Sequence, residues 1–337
     1  MLAGRMLRRG ALTLTSRAAA ARGHGQRAAS SLASVVHGHA AAAPTSLALA
    51  APQEGVSWTY RELSERAARV AGQLARLGYG HGDVLVMDLP NSTENLLLQV
   101  ACSHLGVAAA TAKDAGALAA LCEAARVRGA VTQAAPGAGG VLAEASLPLA
   151  PVAVEDVVSP GSPDAPLPTM AAAEDGLALG YWNSTKPLTN GEALATMGAA
   201  AVQRLAMGPE DRVLVSITLC HAFGIGSAAG SALLAGAAVV LPGASGTRGC
   251  GSPGQRAQVT LEVLASQRCT LLFADVHTLK ALPPPGQAEL SALRGGACKV
   301  GSGADFLEAV REAKLGPEGE LRPLEYAGVP LVAVGKK

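Results

Sequence analysis

The sequence predicts an α/β fold with mostly parallel sheets flanked by helices. Segments with helical spacing of apolar residues alternate along the chain with short apolar runs that are typical of buried strands. Parallel strands need a crossover connection, which is usually a helix, so this alternation favours parallel sheets. The 337 residues, of which 49% are hydrophobic, suffice for one large domain or two ordinary ones.

The first fifty residues differ in composition from the rest of the chain. Their arginines are Arg5, Arg8, Arg9, Arg17, Arg22 and Arg27. The first acidic residue is Glu54. A basic, serine-containing, acid-free start is typical of a mitochondrial transit peptide. We therefore expect a targeting segment over 1–30, a flexible lead-in over 31–52, and a protein in the matrix or on the matrix side of the inner membrane. A basic tail without an address is the alternative.

Local signals define the elements of the first half. Thr59 and Glu62 have the spacing of a capping box, and the helix that they begin should end at Gly78 in a left-handed cap. Further elements are predicted as a strand Val84–Met87, a helix Glu94–Leu105 ending at Gly106, and a strand Val127–Thr132. Together they predict a first α/β subdomain over 53–133.

Residues 134–175 are rich in Ala, Pro and Gly and predict a loop. The alternation then resumes and predicts a second α/β subdomain over 176–330, followed by a tail over 331–337. Its predicted helices are Glu192–Leu205, Gly226–Leu234, Gln258–Ser266 and Ala304–Lys314. Its predicted strands are Arg212–Thr218, Ala237–Leu241 and Cys269–Phe273.

Composition argues against several classes of partner and site. The net charge of +1 gives no reason to expect nucleic acid or an anionic membrane as a partner. No apolar stretch reaches the roughly 18–20 residues of a membrane-spanning helix. The six cysteines are scattered without a C-x-x-C pair, which suits a reducing compartment. We accordingly expect no transmembrane helix, metal or cofactor.

Several segments resemble the adenylate-forming superfamily of acyl-CoA synthetases, luciferases and peptide synthetase adenylation domains. Ser57–Leu63 resembles the family's "TY-x-EL" helix. Leu77–Val84 and Pro90–Ser92 resemble its "LGVxxGDxV" and "NS" motifs. The resemblance implies the fold of the family's N-terminal domain, without the C-terminal lid domain.

The resemblance also implies a remnant phosphate loop. Tyr181–Pro187 falls where the family has "YTSGTTGKPKG", and Ser184, Thr185 and Lys186 match that motif. No glycine lies between Tyr181 and Asn190, although the family loop needs glycines to approach ATP phosphates closely. An ordinary polar turn is the alternative interpretation.

A second motif implies an acyl pocket. Cys220–Gly224 resembles "xHxFG", which would place His221, Phe223 and Gly224 beside the acyl chain. A packed or hydrogen-bonded histidine is the alternative. Leu290–Arg294 followed by Gly301–Ala304 resembles the family's adenine wall.

The last motif departs from the family pattern. Tyr326–Pro330 stands where the family has "YGxTE", whose hydroxyl and carboxylate contact phosphate and Mg²⁺. Both groups are absent, and the sequence given does not contain the ribose-binding aspartate or the catalytic lysine. We therefore expect no catalytic residues and a pseudoenzyme derived from an AMP-forming ligase.

Three functions remain open from the sequence. The first is an accessory subunit of a large mitochondrial complex, with the respiratory chain or ATP synthase preferred and the mitochondrial ribosome also a candidate. The second is a mitochondrial protein that binds acyl-CoA, a fatty acid or a nucleotide without reacting it. The third is an acyl-CoA synthetase that depends on a partner chain for its lid.

Overall fold

The computed structural model describes residues 31–112, 114–133, 142, 147–159, 167–171, 178–181, 184–189, 191–243, 252–286, 288–316 and 319–336. The strands are β1 Leu47–Ala51, β2 Val56–Thr59, β3 Val84–Asp88, β4 Ala108–Ala110, β5 Val127–Thr132, β6 Val152–Ala153, β7 Ala178–Tyr181, β8 Ser184–Thr189, β9 Arg212–Ser216, β10 Ala238–Val240, β11 Leu271–Asp275, β12 Gly295–Lys299, β13 Asp305–Leu307, β14 Glu312–Lys314, β15 Leu321–Pro323, β16 Glu325–Tyr326, β17 Val329–Pro330 and β18 Val332–Gly335.

The α-helices are Leu32–Ala42, Tyr60–Arg76, Thr93–Leu105, Ala115–Ala124, Val154–Val158, Ala199–Arg204, Ser231–Ala235, Pro253–Ser266 and Val276–Ala281. Wider π-helical turns precede two of them, over Gly191–Gly198 and Phe223–Gly230, and a short 3₁₀ turn covers Pro52–Glu54. None of the helices within the described ranges is long and apolar enough to cross a membrane.

Two sheets organise the chain. The larger has the order β13-β18-β12-β11-β9-β10-β1-β2, in which the six inner strands run parallel and both edge strands run antiparallel. The smaller has the order β6-β5-β3-β4-β7-β8 and is parallel except for the edge strand β8. The predicted α/β fold with mostly parallel sheets is therefore confirmed.

Both faces of the larger sheet are buried, which explains its continuous apolar runs. Leu49 and Val213 belong to a core cluster that also contains Leu85 of the smaller sheet. Their neighbours Ala50 and Leu214 belong to a second cluster on the opposite face. Successive side chains of a strand point to opposite faces, so the larger sheet separates two apolar cores, and the first core extends to the smaller sheet.

The helix Tyr60–Arg76 forms as predicted. The Glu62 amide donates to Thr59 Oγ1 at 3.3 Å, and the Glu62 carboxylate accepts from the Thr59 amide at 2.7 Å, completing the capping box. Gly78 follows the helix with φ +91°, a left-handed conformation that glycine adopts without a Cβ clash. The fully buried Tyr60 donates its hydroxyl to the Ala237 carbonyl at 2.8 Å, which ties this helix to the start of β10.

The predicted flexible lead-in over 31–52 is wrong. The segment forms the helix Leu32–Ala42 and the strand β1, which lies between β2 and β10. Ser31 caps the helix by accepting from the Ser34 amide at 3.1 Å, and the Ala33 amide donates to Ser103 Oγ at 3.1 Å. Alanine favours helix and fits close packing, so this alanine-rich segment is ordered. The predicted targeting segment over 1–30 lies outside the described residues.

Two further predictions near the end of the sequence are wrong. Ala304–Lys314 was expected to be helical but contains β13 and β14. The expected tail over 331–337 contains β18, whose Ala333 and Val334 are fully buried. Phe306 of β13 pairs with Val334, so pairing with a distant strand overrides local helix propensity here.

Subdomain membership also differs from the expected boundaries at 53–133 and 176–330. The larger sheet takes β1 and β2 from the first quarter of the chain, and the smaller sheet takes β7 and β8 from the second half. Within the predicted loop over 134–175, the described residues include β6 and the helix Val154–Val158. The rest of that loop is described only at 142, 147–151, 159 and 167–171.

The same turn, in which a glycine amide donates to an aspartate carboxylate three residues later, precedes one strand in each sheet; we call this turn the joint. The Gly80 amide donates to the Asp83 carboxylate at 2.8 Å before β3, and the Gly208 amide donates to the Asp211 carboxylate at 2.8 Å before β9. Left-handed residues precede both joints, Gly78 with φ +91° and Ala206 with φ +43°.

The strands that follow, β4 and β10, bind the two aspartates in the same way. The Ala108 amide donates to the Asp83 carbonyl at 2.9 Å, and the Ala238 amide donates to the Asp211 carbonyl at 3.0 Å. A helix–strand–helix–strand unit therefore occurs once in each sheet.

Candidate functional site

The remnant phosphate loop lies in an edge hairpin. Ser184, Thr185 and Lys186 belong to β8, the edge strand of the smaller sheet. Tyr181 pairs with Ser184, so only two residues connect β7 to β8. Along this part of the hairpin, the backbone follows an antiparallel strand pair rather than a glycine-rich loop.

His221 lies in the loop that follows β9. Its amide donates to the Thr218 carbonyl at 3.4 Å, and its carbonyl accepts from the Ile225 amide at 2.9 Å. Burial lowers the pKa of the His221 imidazole to about 4, with a further lowering by the nearby Lys299 ammonium and a partial offset by Asp275. The ring is therefore neutral at physiological pH.

The other two predicted pocket residues have packing roles. Phe223 is fully buried, and its ring centroid lies 5.7 Å from that of Phe273. A Cβ added at Gly224 would lie 2.0 Å from the Thr218 carbonyl oxygen, so only glycine fits between the loop and the helical turn. The three residues are adjacent as the motif predicted, but their contact with an acyl chain stays a prediction.

Side chains from the smaller sheet's crossover helix Thr93–Leu105, and from the loop before it, fix this loop. The Leu219 amide donates to Asn91 Oδ1 at 3.0 Å, and Gln99 Nε2 donates to the Leu219 carbonyl at 3.4 Å. Gln99 Nε2 also donates to Asn95 Oδ1 at 2.9 Å. All three side chains are buried. The segment that resembles the family's "NS" motif thus positions the backbone immediately before His221.

Sequence reasoning missed two charged residues near His221, Asp275 and Lys299, and the arginine that contacts Asp275. Asp275 ends β11 and pairs in register with Lys299, which ends β12. Asp275 accepts from the Thr278 amide at 2.6 Å and from Arg256 Nη2 at 3.3 and 3.2 Å. In the sequence, the only sign of Asp275 and Lys299 is that each charged residue ends an apolar run. Their proximity follows from the pairing of β11 with β12.

These groups lie at the carboxyl ends of parallel strands, where open α/β sheets bind ligands. Burial lowers the pKa of Lys299, and Asp275 partly offsets that shift. Arg256, of which only 8% is exposed, also donates through Nε to Thr278 Oγ1 at 2.6 Å. Asp275 and Arg256 thus form a closed network, while Lys299 lies beside it.

Arg294, in the stretch expected to form an adenine wall, lies at the other end of the sheet. It precedes β12 and contacts the buried Asp211 through Nη2 at 2.6 Å and Nε at 3.0 Å. Its Nη1 also donates to the Leu205 carbonyl at 2.8 Å. Arg294 therefore has a structural role, because it connects the turn before β9 to the start of β12.

The motif that departs from "YGxTE" forms a tight hairpin. Ala327 and Gly328 have φ +53° and +76° between β16 and β17, and Tyr326 donates its hydroxyl to the Pro283 carbonyl at 2.9 Å. Val329 and Pro330 offer no side-chain ligand for a metal. Throughout the part of the chain that the structure describes, no three His, Cys, Asp or Glu side chains are grouped to hold a metal ion.

Comparison with known proteins agrees with this architecture. Residues 36–176 match the family of AMP-binding enzymes. The N-terminal domain of FACL13 from Mycobacterium tuberculosis is 16% identical, with a TM-score of 0.65 over 80% of this chain and 70% of that one. A fatty acyl CoA synthetase of the same organism is 18% identical, with a TM-score of 0.65 over 83% of this chain and 56% of that one.

A further synthetase has the same fold. Unliganded O-succinylbenzoate coenzyme A synthetase from Bacillus subtilis is 20% identical, with a TM-score of 0.61 over 81% of this chain and 55% of that one. The chain thus spans little more than half of these two synthetases. No curated protein sequence matches it. Residues 36–176 thus resemble the AMP-binding enzymes, and the described residues have the fold of acyl-CoA synthetase N-terminal domains.

Proposed function

We propose that this protein is a non-catalytic member of the family that serves as an accessory subunit of a large mitochondrial complex, with the respiratory chain or ATP synthase preferred. The observation that carries the proposal is the hairpin at Tyr326–Pro330, in which Val329 and Pro330 replace the hydroxyl and carboxylate implied by the resemblance. The two-residue connection between β7 and β8 supports it.

The chemistry of adenylation explains why these replacements matter. The reaction brings a carboxylate to the α-phosphate of ATP, so it depends on positioning and on neutralisation of charge by metal, lysine and backbone donors. Removal of one preorganised electrostatic contact typically costs about 10²–10³ in rate. Loss of the metal-binding carboxylate together with the phosphate-loop glycines should leave no useful rate.

The rest of the fold supports a structural role. Both faces of the larger sheet remain packed, and the Asp211–Arg294 and Asp275–Arg256 ion pairs are complete. A domain with an intact core and altered reaction motifs still offers a stable surface to other subunits. The acid-free, arginine-containing first fifty residues support a mitochondrial address.

The native size of the endogenous protein tests the complex. We expect gently solubilised mitochondria to yield the protein in a fixed ratio with the subunits of one large complex, by blue-native separation and mass spectrometry. Migration of all the protein at about its own mass would contradict the accessory role.

Import and activity are tested on the full chain. Replacement of Arg8 and Arg9 by Gln should abolish uptake by isolated mitochondria, while the same change at the exposed Arg61 and Arg69 should leave uptake intact.

With Mg-ATP and a panel of carboxylic acids, we expect no pyrophosphate release above buffer, with an active synthetase as positive control. Saturable release would contradict the non-catalytic assignment and favour the synthetase alternative.

A second candidate function is binding of a small ligand without reaction. The placement of His221 and Lys299 at the carboxyl ends of parallel strands favours it, since this is where open α/β sheets bind ligands. Such binding is compatible with membership in a complex.

A further inference from the structure

The joints before β3 and β9 differ in how their arginines are used. Before β9, Arg294 donates to the Asp211 carboxylate through Nε at 3.0 Å and Nη2 at 2.6 Å. It also donates to the Leu205 and Ala206 carbonyls at 2.8 and 3.2 Å. One arginine and one buried aspartate therefore form a balanced pair, and contacts within the chain occupy the guanidinium.

Before β3, two arginines lie beside one aspartate. Arg126 Nε is 2.8 Å from Asp83 Oδ1, and Arg128 Nε is 3.7 Å from Asp83 Oδ2. The register of β5 against β3 shifts at Arg128, which makes this arginine an extra, bulged residue. A bulge changes the direction of a side chain, and here both arginines reach the same carboxylate. Two positive charges thus face a single buried negative charge.

The guanidinium of Arg126 has no hydrogen-bond acceptor among the residues that the structure describes. Asp83 Oδ1 lies within ion-pair distance of Arg126 but accepts no hydrogen bond from it. Arg128, by contrast, donates through Nη2 to the Gly78 carbonyl at 3.4 Å. Glu123 is the nearest acidic residue along the chain and forms no ion pair with Arg126. The surplus charge of this joint therefore lies on Arg126, whose side chain is 66% exposed.

This arrangement fits a carboxylate on a protein surface. The two terminal nitrogens of a guanidinium donate in parallel and match the two oxygens of a carboxylate. A small carboxylic acid bound to so exposed an arginine would remain largely in water, where an ion pair contributes little. A protein surface would exclude that water, and arginine is enriched among the interface residues that contribute most to binding.

We propose that Arg126 is a docking point for an aspartate or glutamate side chain of another subunit, at the amino end of β5. The inference rests on the proposed accessory role. Asn91, which contacts the loop before His221, follows the carboxyl end of the neighbouring parallel strand β3. Docking at Arg126 therefore takes place at the opposite end of the smaller sheet and leaves the candidate site uncovered.

Blue-native separation of matched variants tests the docking point. The full-length chain is imported into mitochondria depleted of the endogenous protein, as wild type, Arg126→Gln or Arg322→Gln. Arg322 is 58% exposed and pairs with Glu320, so it is a control of similar exposure with a partner inside the chain. We expect Arg126→Gln to reduce the complex-bound protein at least about 10-fold and Arg322→Gln to leave it unchanged. Purified Arg126→Gln should unfold near the wild-type midpoint, because exposed ion pairs contribute little to stability.

The variant Arg126→Lys tests the chemistry of the contact. A carbodiimide joins an amine to a carboxylate in direct contact through an amide bond, and a guanidinium does not react in this way. We expect mass spectrometry of the cross-linked complex to join position 126 of Arg126→Lys to an aspartate or glutamate of another subunit. The wild-type chain should give no cross-link at that position.

The outcomes separate the docking point from the accessory role. Complex-bound Arg126→Gln at the wild-type level would overturn the docking point and leave the accessory role intact. Complex-bound Arg126→Lys that is cross-linked at position 126 only within its own chain would do the same. Migration of the wild type at its own mass would contradict the accessory role and the docking point together. If Arg126→Gln fails to fold, the cross-link of Arg126→Lys decides.

Discussion

His221 is held in its neutral form by its position between the loop after β9 and the charged ends of β11 and β12. Burial removes water from the imidazole, and Lys299 adds electrostatic repulsion to the protonated ring. The folded-state pKa of about 4 lies below the ordinary value of 6.5. The folded protein therefore binds this proton less tightly than the unfolded chain does, and acid should destabilise it through this residue.

The sign and window of this effect can be tested. The contribution of His221 should be fully present above pH 6.5 and decrease as the pH falls toward 4, by about 3 kcal/mol in total from the two pKa values. We expect His221→Asn to flatten the dependence of the unfolding free energy on pH in this window, as measured by urea denaturation. His277→Asn, at an exposed position nearby, is the control. If the unfolding free energy depended on pH in the same way for wild type and His221→Asn, the lowered pKa of His221 would be contradicted.

Single residues also show what the sequence could reveal of the site. His221 was found because its motif is contiguous in sequence. Asp275 and Lys299 were missed because they meet only when β11 and β12 pair in parallel, across an intervening helix. Arg294 was assigned to a ligand-binding wall, but it contacts Asp211 at the opposite end of the strands. A sequence motif does not show at which end of a sheet its side chains lie.

At the scale of elements, the repeated joint carries a buried charge in each sheet. Asp83 is 1% exposed and Asp211 is 2% exposed, and each accepts from a preceding glycine amide and lies within ion-pair distance of at least one arginine. The arginines are partly exposed, so removal of the aspartate costs mainly the hydrogen bonds to its buried carboxylate, typically about 1.5–3 kcal/mol.

We therefore expect Asp211→Ala to lower the free energy of unfolding by about that amount. Glu65→Ala removes one partner of the exposed Glu65–Arg69 pair and should cost about 0.5 kcal/mol or less. Chemical denaturation of the three proteins gives the comparison. A loss for Asp211→Ala no larger than that for Glu65→Ala would show that the joint does not stabilise the sheet.

Elements with local signals were predicted well, and those without them were not. Tyr60–Arg76 has its capping box, apolar spacing and glycine end within one segment, so neighbouring residues determine it. Asp305–Leu307 is a strand only because β18 lies beside it, and no nearby residue encodes that pairing. The helix Leu32–Ala42 was missed because its capping residue Ser31 was assigned to a flexible lead-in that follows the targeting segment.

At the scale of the whole molecule, the larger sheet joins segments from distant parts of the chain. β1 begins at Leu47 and β18 ends at Gly335, yet both are inner strands of the same sheet. Removal of residues 332–337 would delete β18, expose one edge of β12 and leave β13 without a partner.

We expect a chain that ends at Leu331 to lose cooperative unfolding, as followed by circular dichroism, and to aggregate on expression. A chain that lacks only residues 336 and 337 keeps β18 and should behave as wild type. Cooperative unfolding of the shorter chain near the wild-type midpoint would show that β18 is dispensable.

The position of β18 has a consequence for biosynthesis. The strands β9, β10, β11 and β12 can assemble on β1 as they leave the ribosome, but the sheet lacks β18, and β13 lacks its partner, until residues 332–335 have been made. A partly synthesised chain therefore presents an unpaired strand edge, which is prone to aggregation. Such a chain would depend on chaperones until β18 has been made and has paired with β12 and β13.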